Sequence, residues 1–182
     1  VLSKDNKLYN RVGKGYKYYV PRGVTYIDTN ELNEKLYSNG TYYYLYIDAI
    51  SYYHKATFEY EENPDAYYSR EIKIKDKQGY LEINETDGKY LIEFNYNYAK
   101  IEALVDKEKI NETVLNASYI LSTVKFNNNV IKLMLNENYL TNKEETYDIF
   151  ESKDDDDNVY LEYDKENETS QEQVENNKNE VK

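Results

Sequence analysis

The sequence predicts an α+β domain: an antiparallel sheet of roughly six to eight strands, rich in meanders, with one main helix and one short helix packed on it. Three observations carry this. Residues 66–98 form alternating apolar and polar runs separated by turn signals. Val114, Ala117, Leu121 and Val124 then recur at spacings of three and four, the period of a helix. At 182 residues the chain has the length for one domain of ordinary size with a tail. The expected organisation is a lead-in segment over 1–15, a single domain over 16–163 and a disordered acidic tail over 164–182.

Taken in order, residues 1–15 are polar and carry Gly13-Lys14-Gly15, which lacks the further glycine and the Lys-Ser/Thr step of a phosphate loop. Tyr16 to Val20 and Val24 to Ile27 are β-prone and flank Pro21-Arg22-Gly23, a turn in which proline sets φ and glycine relieves the bend. Asp28 and Glu31 have the spacing of a capping box, Leu32 and Leu36 lie four apart, and Asn39-Gly40 offers a left-handed stop. Together these predict a short helix over about 29–38.

Thr41 to Tyr53 reads as a strand with two unlike faces. Tyr43, Leu45, Ile47 and Ala49 form a core face, and Tyr42, Tyr44, Tyr46 and Asp48 form the other. A loop follows, ending at Asn63-Pro64-Asp65. In the meander, turns are expected at Lys77-Gln78-Gly79 and Asp87-Gly88, with Tyr90, Ile92, Phe94, Tyr96 and Tyr98 sharing one face of the third strand. Residues 99–110 satisfy both periods. The main helix is expected over about 111–125 and is ended by Asn127-Asn128-Asn129. Alternation then predicts strands at Ile131-Leu135, Tyr147-Ile149 and Val159-Tyr163, the last two separated by Asp154–Asp157. Beyond Asp164 the residues are too polar to offset their ordering entropy by burial.

Composition excludes several functions. The absence of cysteine rules out disulfides, thiolate nucleophiles and zinc–thiolate sites, and one histidine rules out multi-histidine metal sites. With 23 basic and 35 acidic residues the formal charge is -12, and the basic residues are scattered among acids, so nucleic-acid binding is not expected. No apolar run is long enough for direct membrane insertion. No nucleophile elbow, His-Glu-x-x-His, Walker or dinucleotide fingerprint occurs, so neither catalysis nor a cofactor is expected. The Asp154–Asp157 run lacks the glycine and spacing of a calcium loop and predicts no metal site.

Tyrosine supplies 24 residues against four phenylalanines, and its rings can stack on sugars or apolar side chains while the hydroxyls hydrogen-bond. Tyr42, Tyr44 and Tyr46, with Tyr52 and His54 shortly after, are the candidate binding residues. These features predict a non-catalytic binding module for a protein or glycan partner. The chain opens Val1-Leu2-Ser3, which fits the body of an exported or surface-anchored bacterial protein after loss of a leader or anchor. The alternative is an acidic intracellular interaction protein, such as a phage or mobile-element inhibitor acting by charge mimicry.

Overall fold

The computed structural model describes residues 1–3 and 7–136. The strands expected at 147–149 and 159–163, the Asp154–Asp157 run and the tail from 164 lie outside the described residues. Within them, two antiparallel sheets and three α-helices form the α+β architecture. A small sheet has the order β1-β2-β10, from Arg11–Gly13, Tyr16–Tyr18 and Lys125–Phe126. The seven-stranded sheet has the order β3-β4-β5-β9-β8-β7-β6. Its strands are β3 Thr25–Asn30, β4 Asn33–Ser38, β5 Thr41–Ile47, β6 Tyr68–Ile74, β7 Lys77–Thr86, β8 Lys89–Tyr96 and β9 Ala99–Val105. The chain runs through β3-β4-β5, crosses by helix α1 (Ala49–His54) and residues 55–67 to the far edge, and returns through β6-β7-β8-β9.

Every hairpin of the large sheet closes through two residues, and in each the left-handed region is used. Asn39-Gly40, Asp87-Gly88 and Asn97-Tyr98 have positive φ at both positions, the turn whose twist matches that of paired strands. Lys75-Asp76 and Glu31-Leu32 have it at the first position, with φ of 58° and 61°. The β6–β7 turn therefore falls at Lys75-Asp76, two residues before the expected Lys77-Gln78-Gly79. Tyr98 belongs to a turn and not to the third meander strand.

The expected helix over 29–38 is absent; those residues form the end of β3, the Glu31-Leu32 turn and β4. A spacing of four suits a helix face and equally a strand face, since four is a multiple of two. Leu32, Glu34, Leu36 and Ser38 are buried in alternation with Asn33, Lys35 and Tyr37. Asp28 does not cap: its carboxylate accepts from the adjacent Thr29 amide. Asn39-Gly40 does take the left-handed conformation, but as the turn from β4 to β5.

The ambiguous 99–110 segment divides into β9 and a 3-10 turn, Lys107–Lys109, that leads into helix α2, Ile110–Thr123. Helix α2 packs on β8 and β9, as its periodicity requires. Ala117, Ile120 and Leu121 are buried in one cluster with Leu36, Tyr43, Leu45, Ile101 and Phe94. Ile83, Ile92, Ala103 and Val105 form a second cluster under Ile110 and Val114. The expected strand at Ile131-Leu135 is instead helix α3, Asn128–Asn136. Asn127 starts it, its side-chain carbonyl accepting from the Asn129 and Val130 amides, and Ile131 and Met134 are buried while Leu133 is exposed. Three alternate apolar residues were too short a run to separate the two periods.

The small sheet is joined to the large one by a buried carboxylate. The Glu34 side chain has no exposure, and its Oε2 lies 2.7 Å from the Arg11 Nε. Tyr16 and Tyr18 both donate their hydroxyls to it. Arg11 also donates to Thr29 Oγ1 at 2.9 Å and lies 3.3 Å from the centre of the Tyr26 ring. Burial opposes the guanidinium charge, but Glu34 outweighs it and holds the Arg11 pKa above its usual value. Burial first, and Glu34 second, push the Tyr16 phenol well above its ordinary range, so both hydroxyls stay protonated donors. Replacing Arg11 by Met should leave a buried charge uncompensated and cost about 3 kcal/mol, whereas Arg11→Met combined with Glu34→Met should recover most of that loss. Urea denaturation of the two variants measures this, and a double variant no more stable than Arg11→Met would reject charge compensation as the source.

Candidate functional site

Helix α2 covers one face of the large sheet, and Tyr43 points to that side, where its hydroxyl accepts from Asn116. The other face follows from the strand alternation. Two-residue turns set the register of β6 to β9, and the pairing of β5 with β9 adds a fifth strand to the same rows. One row runs Tyr44, Glu102, Glu93, Glu82 and Ser69; the next runs Tyr46, Lys100, Asn95, Tyr80 and Glu71. Strand β4 adds Lys35 opposite Tyr44 and Tyr37 opposite Tyr42.

Tyr42, Tyr44 and Tyr46 thus stand together on this face, each partly exposed. Alternate residues of one strand are about 7 Å apart, so their rings form a line along β5. The Tyr37 and Tyr42 rings meet at 5.0 Å, and the Lys35 ammonium sits 4.1 Å from the Tyr42 ring centre and 5.7 Å from that of Tyr44. Tyr52 and His54 are not part of this line. They lie on α1, which leaves the end of β5 after Asp48 caps it through the Ser51 amide. Tyr52 stacks on Phe126 at 3.9 Å and meets Tyr98 edge-on, and His54 is exposed beside Tyr53. The expected platform therefore separates into a sheet row of three tyrosines and an unrelated helix pair.

Sequence reasoning missed the other half of the site. Residues 58–63 lie over the β6–β7 end, where Phe58, Tyr60 and Tyr80 stack, the last two with ring centres 4.3 Å apart. Tyr60 donates to Glu82, which also accepts from Asn63 and Asn84. Burial alone would raise the Glu82 pKa, but these hydrogen bonds prevail and hold it below the usual carboxylate value. Glu102 is 3% exposed and pairs with Lys100 at 2.8 Å. Glu93 lies between the two. Burial, then the neighbouring Glu102 and Glu82 charges, push its pKa up to about 7 against the pull of Lys100. Three adjacent carboxylates thus differ in state: one held ionised by donors, one paired with an ammonium, and one that takes up a proton near neutrality. Among the described residues no group of three such side chains is arranged to hold a metal ion, and no helix is long and apolar enough to cross a membrane.

The Glu93 value gives a signed prediction. Between the ordinary 4.5 and about 7 the folded chain retains a proton that the unfolded chain has released. Its contribution to stability is therefore full below the lower value and is lost as pH rises through the upper one. Glu93→Gln should flatten that decline and raise stability at about pH 8 by about 1–2 kcal/mol. Thermal melts across this range test it; identical pH profiles for the two proteins would show that Glu93 ionises normally.

No protein-family model, curated protein or solved structure matches the chain.

Proposed function

We propose that the chain is a non-catalytic binding module whose open sheet face takes an extended glycan. The observation that carries this is the line of partly exposed rings Tyr42, Tyr44 and Tyr46 on the sheet face opposite helix α2. A strand whose outer face only needed to be wetted could use any polar residue there; three flat amphipathic rings side by side suit stacking on sugar C–H faces. Hydrogen-bonding groups of both kinds flank them: Lys100, Asn95 and Asn33 as donors, Glu93 as an acceptor. Protonated Glu93 adds a further donor below about pH 7. Together these groups match the hydroxyls along a sugar chain. The module serves as the soluble part of an exported or surface-anchored protein, where glycans are met.

Glu93 also favours a second reading. A carboxyl group titrating near neutrality beside an ionised neighbour is the arrangement of a general acid and its partner in glycoside hydrolysis. Binding without cleavage and binding with cleavage are separable by the same screen.

The test is a glycan array followed by calorimetry on any hit, with product analysis of the incubated ligand. Substituting Tyr42, Tyr44 and Tyr46 together by Ser should leave the circular dichroism spectrum unchanged. Affinity should fall about a hundredfold, at about 1 kcal/mol for each ring. Collapse of the fold would return the tyrosines to a packing role. A peptide bound in place of a glycan would change the ligand class. Cleavage lost in Glu93→Gln would replace the binding reading by the catalytic one.

A further inference from the structure

Among the described residues the large sheet ends in β3 on one side and β6 on the other. The β3 edge is broken. Its register with β4 shifts between Tyr26 and Asp28, leaving Ile27 as the extra residue of a bulge, which closes an edge to a further strand. Within β6 there is no such break. Its seven residues, Tyr68-Ser69-Arg70-Glu71-Ile72-Lys73-Ile74, pair with β7 without a shift and include neither proline nor glycine. The two-residue turn at Lys75-Asp76 makes Ile74 and Lys77 a hydrogen-bonded pair. The even-numbered residues therefore bond to β7, and Ser69, Glu71 and Lys73 turn their amides and carbonyls outward. The Glu71 amide accordingly donates away from β7, to the exposed Glu62 carboxylate at 3.2 Å.

A second copy of the chain fits this edge best in one register. Two copies related by a twofold axis pair antiparallel, and their outward groups meet only if the axis passes through a residue. An axis at Arg70, Glu71 or Lys73 places two like charges face to face, and one at Ile74 sets Lys73 against Lys75; like charges so placed oppose pairing. An axis at Ile72 places Ile72 against itself, Glu71 against Lys73 on both sides, and Arg70 against Ile74. Glu71 and Lys73 already form an ion pair 2.7 Å long within one chain, with the Lys73 side chain 66% exposed. The second copy extends that pair to an alternating set of four charges. Main-chain bonds join Glu71 of each copy with Lys73 of the other, and Glu62 gives up its place at the Glu71 amide to the Lys73 carbonyl. Asn63 donates its amide to Ser69 Oγ, so the loop before β6 occupies the Ser69 end and bounds the paired segment to residues 70–74.

We propose that the β6 edge is a self-association surface, at which a second copy of this chain adds antiparallel about Ile72. The pairing joins two seven-stranded sheets with their tyrosine faces on the same side, because opposite residues of an antiparallel pair share a face. A strand pair this short buries less than a standard interface, so the dimer is a weak one, with a Kd of about 10–100 μM. The proposal does not rest on the glycan reading.

The test is sedimentation equilibrium of the full chain at concentrations spanning that Kd, where a monomer–dimer equilibrium is expected. Glu71→Lys and Lys73→Glu each set like charges across both pairs, and each alone should weaken association about tenfold or more. An equimolar mixture of the two variants restores opposite charges and should regain the parent's affinity as a heterodimer, which also shows that both variants fold. Register is read by cysteine, which the chain lacks. Ile72→Cys places its thiol opposite that of the second copy, in a non-hydrogen-bonded pair whose spacing suits a disulfide, and Lys73→Cys does not. Under mild oxidation at matched concentration the Ile72→Cys chain should therefore cross-link faster. A parent chain that stays monomeric at millimolar concentration, a mixture no tighter than either variant, or equal cross-linking of the two thiols would overturn the proposal. Association should persist when Tyr42, Tyr44 and Tyr46 are replaced by Ser, which separates failure here from failure of the glycan reading.

Discussion

The arrangement around Glu34 is the constraint on which the rest depends. A carboxylate with no exposure costs several kcal/mol to desolvate unless it is paired and hydrogen-bonded. The chain meets that requirement with residues far away in sequence: Arg11 from β1, and Tyr16 and Tyr18 from β2. Satisfying one side chain of β4 therefore positions the whole N-terminal hairpin. With β2 in place, the Tyr19 amide donates to Thr123 Oγ1 at the end of α2 at 2.9 Å, and Asn127 donates its amide to Gly15. Strand β10 pairs with β2, and α3 begins beside the Gly15 turn. A buried negative charge on β4 thus organises the N-terminal hairpin and the elements that meet it.

On the large sheet the corresponding constraint is turn geometry. A two-residue turn leaves no slack in register, and a slip of one residue would send every side chain to the opposite face. Five such turns use positive φ, at non-glycine residues including Asn39, Lys75, Asp87 and Asn97, and two of them, Asp87-Gly88 and Asn97-Tyr98, place Glu82, Glu93 and Glu102 side by side. Their adjacency is a cost of that register, since like charges directly opposite destabilise a strand pair. The chain offsets it locally through Tyr60, Asn63 and Asn84 at one end and Lys100 at the other. At the middle glutamate, burial and the two neighbouring charges outweigh the pull of Lys100, and it holds its proton to about pH 7.

Much of this was legible in the residues, and the failures have physical causes. The two faces of β5, the Asp87-Gly88 hairpin and helix α2 follow from strong, uninterrupted periodicity. The Asp87-Gly88 turn alone already sets Glu82 opposite Glu93, so two thirds of the carboxylate row could have been found from sequence. Its third member was hidden because Asn97-Tyr98 is an uncommon turn pair, and tyrosine there reads as strand. Glu34 was hidden for a different reason. A charged residue in a short segment favours a helix surface until Arg11, Tyr16 and Tyr18 are known to cover it, and Arg11 comes from a stretch that resembles a lead-in. Tyr52 and His54 were grouped with the sheet row by closeness in sequence; Asp48, which ends the strand and caps α1, turns them away.

The two faces of the sheet have been finished by different rules, and that difference bears on function. On the helix side, aliphatic and aromatic residues pack to full burial, and the Thr123 hydroxyl bonds to the Tyr119 carbonyl of its own helix. On the other side the same strands carry rings, carboxylates, amides and ammoniums, all partly exposed save Glu102. Stability would be served as well by threonine or lysine at those positions, without three carboxylates in a row. A ligand that accepts a hydrogen bond from protonated Glu93 would relieve part of that repulsion, and by linkage would raise the Glu93 pKa on binding. Proton uptake and the binding of such a ligand at this face would then be one coupled event, stronger below about pH 7 than above it.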